Sequence, residues 1–166
     1  MKKEYADVPE SMANMQTYGF SWIDFVTAIP APLFVATSYK RNEKPNACLQ
    51  SWAWFSGDKS GFYAVLSSVS KGGHLYQTVK ETGDVVLNFP SAEIYSLCMQ
   101  TIANNDFDDD EIALAGLTAE AASTVNAPRI VECFLSLECK YLWSREIKAG
   151  NASVLMCFEV VKVWID

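Results

Sequence analysis

The chain has 166 residues, enough for one domain whose core needs neither disulfides nor a metal to fold. Half of the residues are hydrophobic and 13% are aromatic, which excludes a disordered chain. With 20 acidic and 13 basic residues the net charge is −7, which excludes a nucleic-acid binder with a broad basic stripe but leaves room for a local basic pocket.

Residues 1–29 read as a leader that packs on the domain or on a partner subunit, with Trp22, Phe25 and Val26 suggesting a short docked helix. Its start, Met1 to Ser11, is charged and has no apolar core, so it does not read as a signal peptide. No apolar run of about 18 residues follows, so no membrane partner is expected. Five scattered cysteines (Cys48, Cys98, Cys133, Cys139 and Cys157) without a C-x-x-C pattern argue against a disulfide framework or structural zinc, and point to the reducing cytoplasm.

Residues 30–166 read as the domain proper. Pro30-Ala31-Pro32 breaks the leader, and Leu33 to Tyr39 is rich in strand formers. A polar loop, Lys40 to Pro45, leads to a strand over Ala47 to Phe55, a turn at Ser56 to Gly61, and a third strand from Phe62 to Ser67. A helix is expected over Leu75 to Thr82, ended by Gly83, then a strand over Val85 to Phe89, stopped by Pro90. Ser91 is placed to cap a helix over Ala92 to Ala103, whose Ile94, Leu97, Cys98, Thr101 and Ile102 share one face. Further helical turns are expected within Ala113 to Thr124, then a long strand run over Arg129 to Ser144 and a last strand over Ser153 to Ile165. Six or seven strands with a few inserted helices favour a mainly β fold, a closed or partly closed antiparallel barrel.

The stretch Ser67-Ser68-Val69-Ser70-Lys71-Gly72-Gly73-His74 joins an expected strand to an expected helix. It offers hydroxyls, an ammonium, two glycines and the chain's only histidine, and a helix start with a nearby cation favours a bound anion such as phosphate. A polar turn with a capping or exposed His74 is the plainer alternative. With one histidine, a hydrolytic triad would have to use His74, yet no G-x-S-x-G accompanies it, and a multi-histidine metal centre is excluded. Neither a P-loop nor a G-x-G-x-x-G occurs.

In the acidic run from Asn104 to Glu111, Asp106, Asp108 and Asp110 match the first ligand positions of a calcium loop. Glu111 stands where the turn glycine belongs, however, and Leu117 where the bidentate glutamate belongs. A solvated loop capping the next helix is the preferred reading, and no metal site is expected. From Asn46 to Trp54, period 2 puts Cys48, Gln50, Trp52 and Trp54 on one face and Ala47, Leu49, Ser51 and Ala53 on the other. The tryptophans are either core or packed on a planar ring that Gln50 and Ser51 could hydrogen-bond.

From about Pro30 to Ile165 the chain resembles the flavin reductase-like family, the FMN-binding split β-barrel proteins that include flavoredoxin. The resemblance rests on an ordered set: Pro30-Ala31-Pro32, Asn46-Ala47 with Ser51-Trp52, the polar stretch Ser67 to His74, and Lys80 to Pro90. Asn105-Asp106-Phe107, Gly116-Leu117-Thr118, Ala127 to Ile130, Leu137-Glu138-Cys139 and Glu159-Val160 complete it. It implies a split antiparallel (Greek-key) β-barrel and a homodimer with FMN near the subunit interface. By position, Leu49, Gln50, Ser51, Trp52 and Ala53 would contact the flavin ring or ribityl chain, with Asn46 in the same strand. Ser67, Ser68, Ser70, Lys71, Gly72 and His74 would surround the phosphate, and Asn88 would support that loop. Lys71 stands near the position of an arginine common in relatives, Leu75 falls where a threonine is common, and Val163-Trp164-Ile165-Asp166 replaces a stretch that often carries a histidine. The implied activity is FMN-dependent oxidoreduction, with NAD(P)H or a redox-protein partner reducing the flavin. A flavin-binding electron carrier or sensor without its own NAD(P)H turnover and a haem-binding split barrel with His74 as axial ligand are the alternatives.

Overall fold

Phe34 to Ser38 are all buried, because the strand that holds them, β1 (Phe34–Tyr39), is covered on both faces. Phe34 and Ala36 join Leu66, Leu87, Met156 and Phe158 in the main core, whereas Val35 packs with Ala47, Cys98, Ile112 and Ile130 in a second cluster. The computed structural model describes residues 2–15, 21–103 and 105–166. Asn104 of the acidic run and residues 16–20 of the expected leader lie outside the described residues. Among the described residues, no helix is long and apolar enough to cross a membrane.

By its contacts the chain divides into Met1–Ala31 and Pro32–Asp166. The first unit holds a short 3-10 turn, Glu10–Met12, and helix α1 (Trp22–Thr27). Ser21 caps α1 by accepting a hydrogen bond from Ile23 N at 3.3 Å.

In the second unit β1 lies between β2 (Pro45–Gln50) and β5 (Asp84–Phe89). With β3 (Ala53–Asp58), β4 (Gly61–Ser70), β8 (Leu135–Glu146) and β9 (Ser153–Ile165) they form a seven-stranded antiparallel sheet in the order β2-β1-β5-β8-β9-β4-β3. The two ends of this order, β2 and β3, are separated in the chain by Ser51 and Trp52 alone. They are halves of one bent run, so the chain itself links the two edges of the sheet, and Trp52 O extends the β3–β4 pairing by accepting from Ser67 N at 2.8 Å and from Ser67 Oγ at 3.2 Å. The fold is a mainly β, antiparallel split barrel. Helix α2 (His74–Thr82) supplies Leu75 and Val79 to the main core and ends at Gly83, whose φ of 75° suits a residue without a Cβ. Helices α3 (Tyr95–Gln100) and α4 (Glu111–Leu114) contribute Cys98 and Ile112 to the second cluster, and β6 (Ala119–Ala121) pairs with β7 (Pro128–Ile130) in a small separate sheet.

Three expectations change. The strand expected over Ala47 to Phe55 is two strands, and its alternation slips by one residue at the bend. Cys48 packs on the main core before the bend, but Ala53 and Phe55 do so after it, leaving Trp54 half exposed. The helix expected within Ala113 to Thr124 stops at Leu114, because Gly116 adopts φ 74° and the next residues pair as β6, where Glu120 meets Arg129 at 2.7 Å. The helix expected over Ala92 to Ala103 starts as a 3-10 turn, Ala92–Ile94, without a side-chain cap from Ser91, and ends at Gln100.

The far end of the barrel is held by one carboxylate. Glu138 of β8 is fully buried and accepts hydrogen bonds from Ser123 N (2.9 Å), Thr124 N (2.7 Å), Thr124 Oγ1 and Trp164 Nε1 (2.6 Å). Burial pushes this carboxyl up, but the bonds to Ser123, Thr124 and Trp164 outweigh it and hold the group at about 2. Its stabilising effect is therefore present above the usual carboxylate range and is lost as pH falls toward 2. Glu138→Gln is expected to lower stability at neutral pH by roughly 1–3 kcal/mol and to flatten the acid side of the profile. Urea denaturation from pH 7 to pH 3 measures both, and an unchanged acid slope in the variant contradicts this assignment.

Candidate functional site

A pocket of about 190 Å³ opens where β2, the end of β4 and the start of α2 meet. Alternate residues of β2, Asn46, Cys48 and Gln50, form one wall. Ser68 and Ser70 of β4 form a second, Gly73 and His74 a third, and Thr101, Ile102 and Asn105 line the remainder. The serines reach this wall through a β-bulge. Between Leu66 and Val69 the pairing advances three residues on β4 but only two on β9, from Met156 to Val154. The extra residue is absorbed at Ser67–Ser68, where Ser68 takes a left-handed φ of 57°. Ser67, Ser68 and Ser70 thus belong to a bulged strand rather than to a loop, and the turn is shortened to Lys71–Gly73.

Gly73 caps α2 in an extended conformation with no side chain bonded to the first helical N–H groups. His74 is the first helical residue. Its Nδ1 is sealed from solvent without a hydrogen-bond partner, 3.6 Å from Glu111 Oε1, and its ring meets the edge of Phe107.

Behind His74 lies an ion pair that the sequence did not announce. Lys40 Nζ, at the end of β1, donates to Glu111 Oε1 (3.1 Å), Asp109 O (2.8 Å) and Asp106 O (3.1 Å), and both side chains are 1% exposed. Glu111 Oε2 accepts from Ala47 N of β2 at 2.7 Å. Asp110 Oδ1 caps α4 by accepting from Ala113 N at 3.0 Å. The acidic run is therefore a helix-capping loop wrapped around an ammonium group, not a solvated loop throughout. The cation that its carbonyls and Glu111 surround is supplied by the chain itself.

Among the residues singled out from sequence, Asn46, Gln50, Ser68, Ser70 and His74 come together in the pocket wall. The others serve elsewhere. Leu49 packs on the second cluster and Ala53 on the main core. Ser51 and Trp52 form the bend, and Ser67 is spent on Trp52 O. The Lys71 ammonium pairs with Glu146 of β8, and the Lys71 N–H donates to Ala152 O at 3.0 Å. Gly72 O accepts from Gln77 Nε2 at 3.4 Å. The Asn88 side chain bonds neighbouring strands. Its Nδ2 donates to Val35 O (3.1 Å) and Thr37 Oγ1 (3.0 Å), and its Oδ1 accepts from Ile130 N (3.0 Å) and Ser136 Oγ (2.9 Å), which exhausts its capacity. At the chain's end, Trp164 Nε1 is bonded to Glu138, and Arg129 lies 3.8 Å from its ring centroid.

Residues 26–166 match the family model of the flavin reductase like domain. The chain belongs to this family. A flavin reductase-like barrel is also what the solved structures show. The flavoredoxin of Desulfovibrio vulgaris (Miyazaki F) superposes with a TM-score of 0.75 at 22% identity, over 100% of this chain and 77% of that one. A Shewanella frigidimarina NCIMB 400 protein described as a flavin reductase with a split barrel domain gives 0.79 at 21% identity, over 96% and 80%. Flavoredoxin from Methanosarcina acetivorans gives 0.74 at 16% identity, over 100% and 76%. An uncharacterized protein of Methanothermobacter thermautotrophicus is 29% identical over 116 residues, 68% of this chain and 52% of that relative. The chain thus spans about half the length of that curated relative.

Lys40→Met would leave Glu111 buried without its cation. It is expected to cost about 3–5 kcal/mol, and adding Glu111→Gln to it is expected to cost less than the sum of the single changes. Chemical denaturation of the three variants tests the pair. A Lys40→Met cost below about 1 kcal/mol would mean that the loop does not depend on the ammonium.

Proposed function

We propose that this flavin reductase-like chain binds FMN and acts as an oxidoreductase, with NAD(P)H or a redox protein as electron donor. The observation that carries the reading is the pocket at the β4–α2 junction, where two serine hydroxyls, uncapped helical N–H groups and His74 face Asn46 and Gln50 of β2. Hydroxyls and N–H groups at a helix start suit phosphate oxygens, and amide side chains suit the edge of a planar heterocycle. Bound flavin would supply the electron-transfer chemistry, and the protein residues would bind and orient it.

Size supports a shared site. Ligand pockets for whole cofactors run from about 300 to 1,000 Å³. At about 190 Å³ this one suits the phosphate-bearing end of FMN and leaves the ring to an open surface. A second copy of the chain is the proposed cover. On β9, Val161, Val163 and Ile165 are 42%, 53% and 70% exposed, an apolar row suited to burial in a homodimer.

An electron carrier fed by a redox protein is favoured by one observation. In the stretch where the resemblance places a histidine, Trp164 has its only donor on Glu138 and its ring against Arg129. No imidazole stands there to meet a nicotinamide.

The protein is expected to show flavin absorbance as purified or after titration with FMN, and to sediment as a dimer. Failure to take up FMN in either state would overturn the assignment. Mixing the flavin-loaded protein with NADH and NADPH separates the two readings, since rapid bleaching supports a reductase and none supports a carrier. Because Lys71 is held by Glu146, Lys71→Ala is expected to change FMN affinity by less than about fivefold. A larger loss confined to FMN and absent for riboflavin would return Lys71 to the site.

A further inference from the structure

We infer that Glu111 is a positioning residue that holds His74 by Nδ1, so that an anionic group entering the pocket is bound together with a proton taken up at Nε2. This rests on the flavin reading above and deepens it: the phosphate would be recognised by an imidazolium that forms only when the anion is present.

The geometry gives the two ring nitrogens different roles. Nδ1 is sealed, without a hydrogen bond, 3.6 Å from Glu111 Oε1. That carboxylate is nearly immobile, fixed by Lys40 Nζ on one oxygen and Ala47 N on the other. Among the described residues it is the charged acceptor facing Nδ1, so a small rotation of the ring completes an Nδ1–H···Oε1 bond. A neutral imidazole carries one proton. With that proton on Nδ1, the lone pair is on Nε2, and a ring bordering the pocket in this form repels a phosphate oxygen that approaches Nε2. Adding a proton turns Nε2 into a charged donor.

Charge balance singles out His74 for this role. Lys40 is paired with Glu111, Arg41 with Glu81 across the groove beside the ring, and Lys71 with Glu146 beyond the turn. Each of these cations is already neutralised. The Cys48 thiol on the β2 wall is pushed up by burial and stays uncharged near neutrality. The Arg41–Glu81 groove also borders His74, giving solvent protons a path to the ring. Because Lys40 already cancels Glu111, a protonated His74 adds a full positive charge facing the anion.

The test is calorimetric and uses the whole chain. FMN and riboflavin are titrated at pH 7.5, where the phosphate is essentially a dianion, in two buffers of different ionisation enthalpy. FMN binding is expected to take up at least about half a proton more than riboflavin binding. The chain has one histidine, so its ring 15N signals report directly. They should show the Nδ1–H form without ligand and two protonated nitrogens with FMN. Glu111→Gln should reduce the extra proton uptake and His74→Gln abolish it, each read as the difference between FMN and riboflavin in the same variant. Where Glu111→Gln does not fold, the Lys40→Met/Glu111→Gln pair and the 15N spectrum of the unaltered protein still decide. Equal proton uptake for both ligands, or an Nε2–H form in the free protein, would overturn the proposal while leaving FMN binding intact. Binding of neither ligand would overturn the flavin reading and this proposal with it.

Discussion

The ammonium group of Lys40 ties three separate parts of the chain together. Lys40 follows β1 directly, its bonds to Asp106 O and Asp109 O shape the loop before α4, and its bond to Glu111 fixes the carboxylate that accepts from Ala47 N. Ala47 belongs to β2, so the position of a pocket wall depends on a charge buried on its far side. Burying an ion pair is a poor route to stability, because the desolvation cost rivals the attraction. What it supplies here is position: few oxygens can satisfy an ammonium group with 1% exposure, and they must be where they are. Ile112, adjacent to Glu111, then carries α4 into the second cluster with Val35 and Ala47. The polar and apolar contacts of the loop therefore specify the same arrangement.

Two irregularities complete the pocket, and they are bonded to each other. The bend at Ser51–Trp52 splits one strand into the two ends of the sheet, and the bulge at Ser67–Ser68 adds a residue to β4. Ser67 joins them through its bonds to Trp52 O. The bend changes which residues face inward, from Cys48 to Ala53 and Phe55. The bulge re-aims the residues that follow, so that Leu66 and Val69, three positions apart, both pack in the main core while Ser68 and Ser70 line the pocket. A regular strand alternates strictly and would turn Leu66 and Val69 to opposite faces.

Strand positions were legible in the sequence where apolar residues and turn residues alternate clearly. Leu33 to Tyr39, Val85 to Phe89 and Ser153 to Ile165 all fall on strands within a residue or so. Gly83 marked the end of α2 because its left-handed φ is a local property. The slip at Ser51–Trp52 was hidden, since neither residue is a strand breaker and the bend is imposed by closure of the sheet. Ala119–Ala121 was misread for a similar reason: alanine favours helix, but pairing with Pro128–Ile130 decides. Around the pocket, Ser68, Ser70 and His74 of the polar stretch come together with Asn46 and Gln50, while the sequence carried no signal for Lys40 and Glu111. They are 71 residues apart, and a lysine beside a loop gives no sign that it will be buried. Lys71 shows the same distance effect, because its partner Glu146 comes from a strand 75 residues further along the chain.

The pairing of Lys40, Arg41 and Lys71 also limits how this pocket could recognise the anion proposed for it. A site built on an unpaired arginine carries its charge at all times and attracts anions and water alike. Here each nearby lysine or arginine already faces a carboxylate, in a chain whose net charge is −7. The long-range field therefore disfavours anions, and under the proposed function binding would have to be won locally by hydroxyls, helical N–H groups and the His74 ring. A charge that forms on arrival of its partner avoids a lasting unpaired cation beside the buried Lys40, where like-charge repulsion would weaken the Glu111 bond that orders the wall. The Lys40–Glu111 pair thus both ties the β2 wall to the loop before α4 and sets the charge beside which, in the proposed reading, His74 would meet an anion.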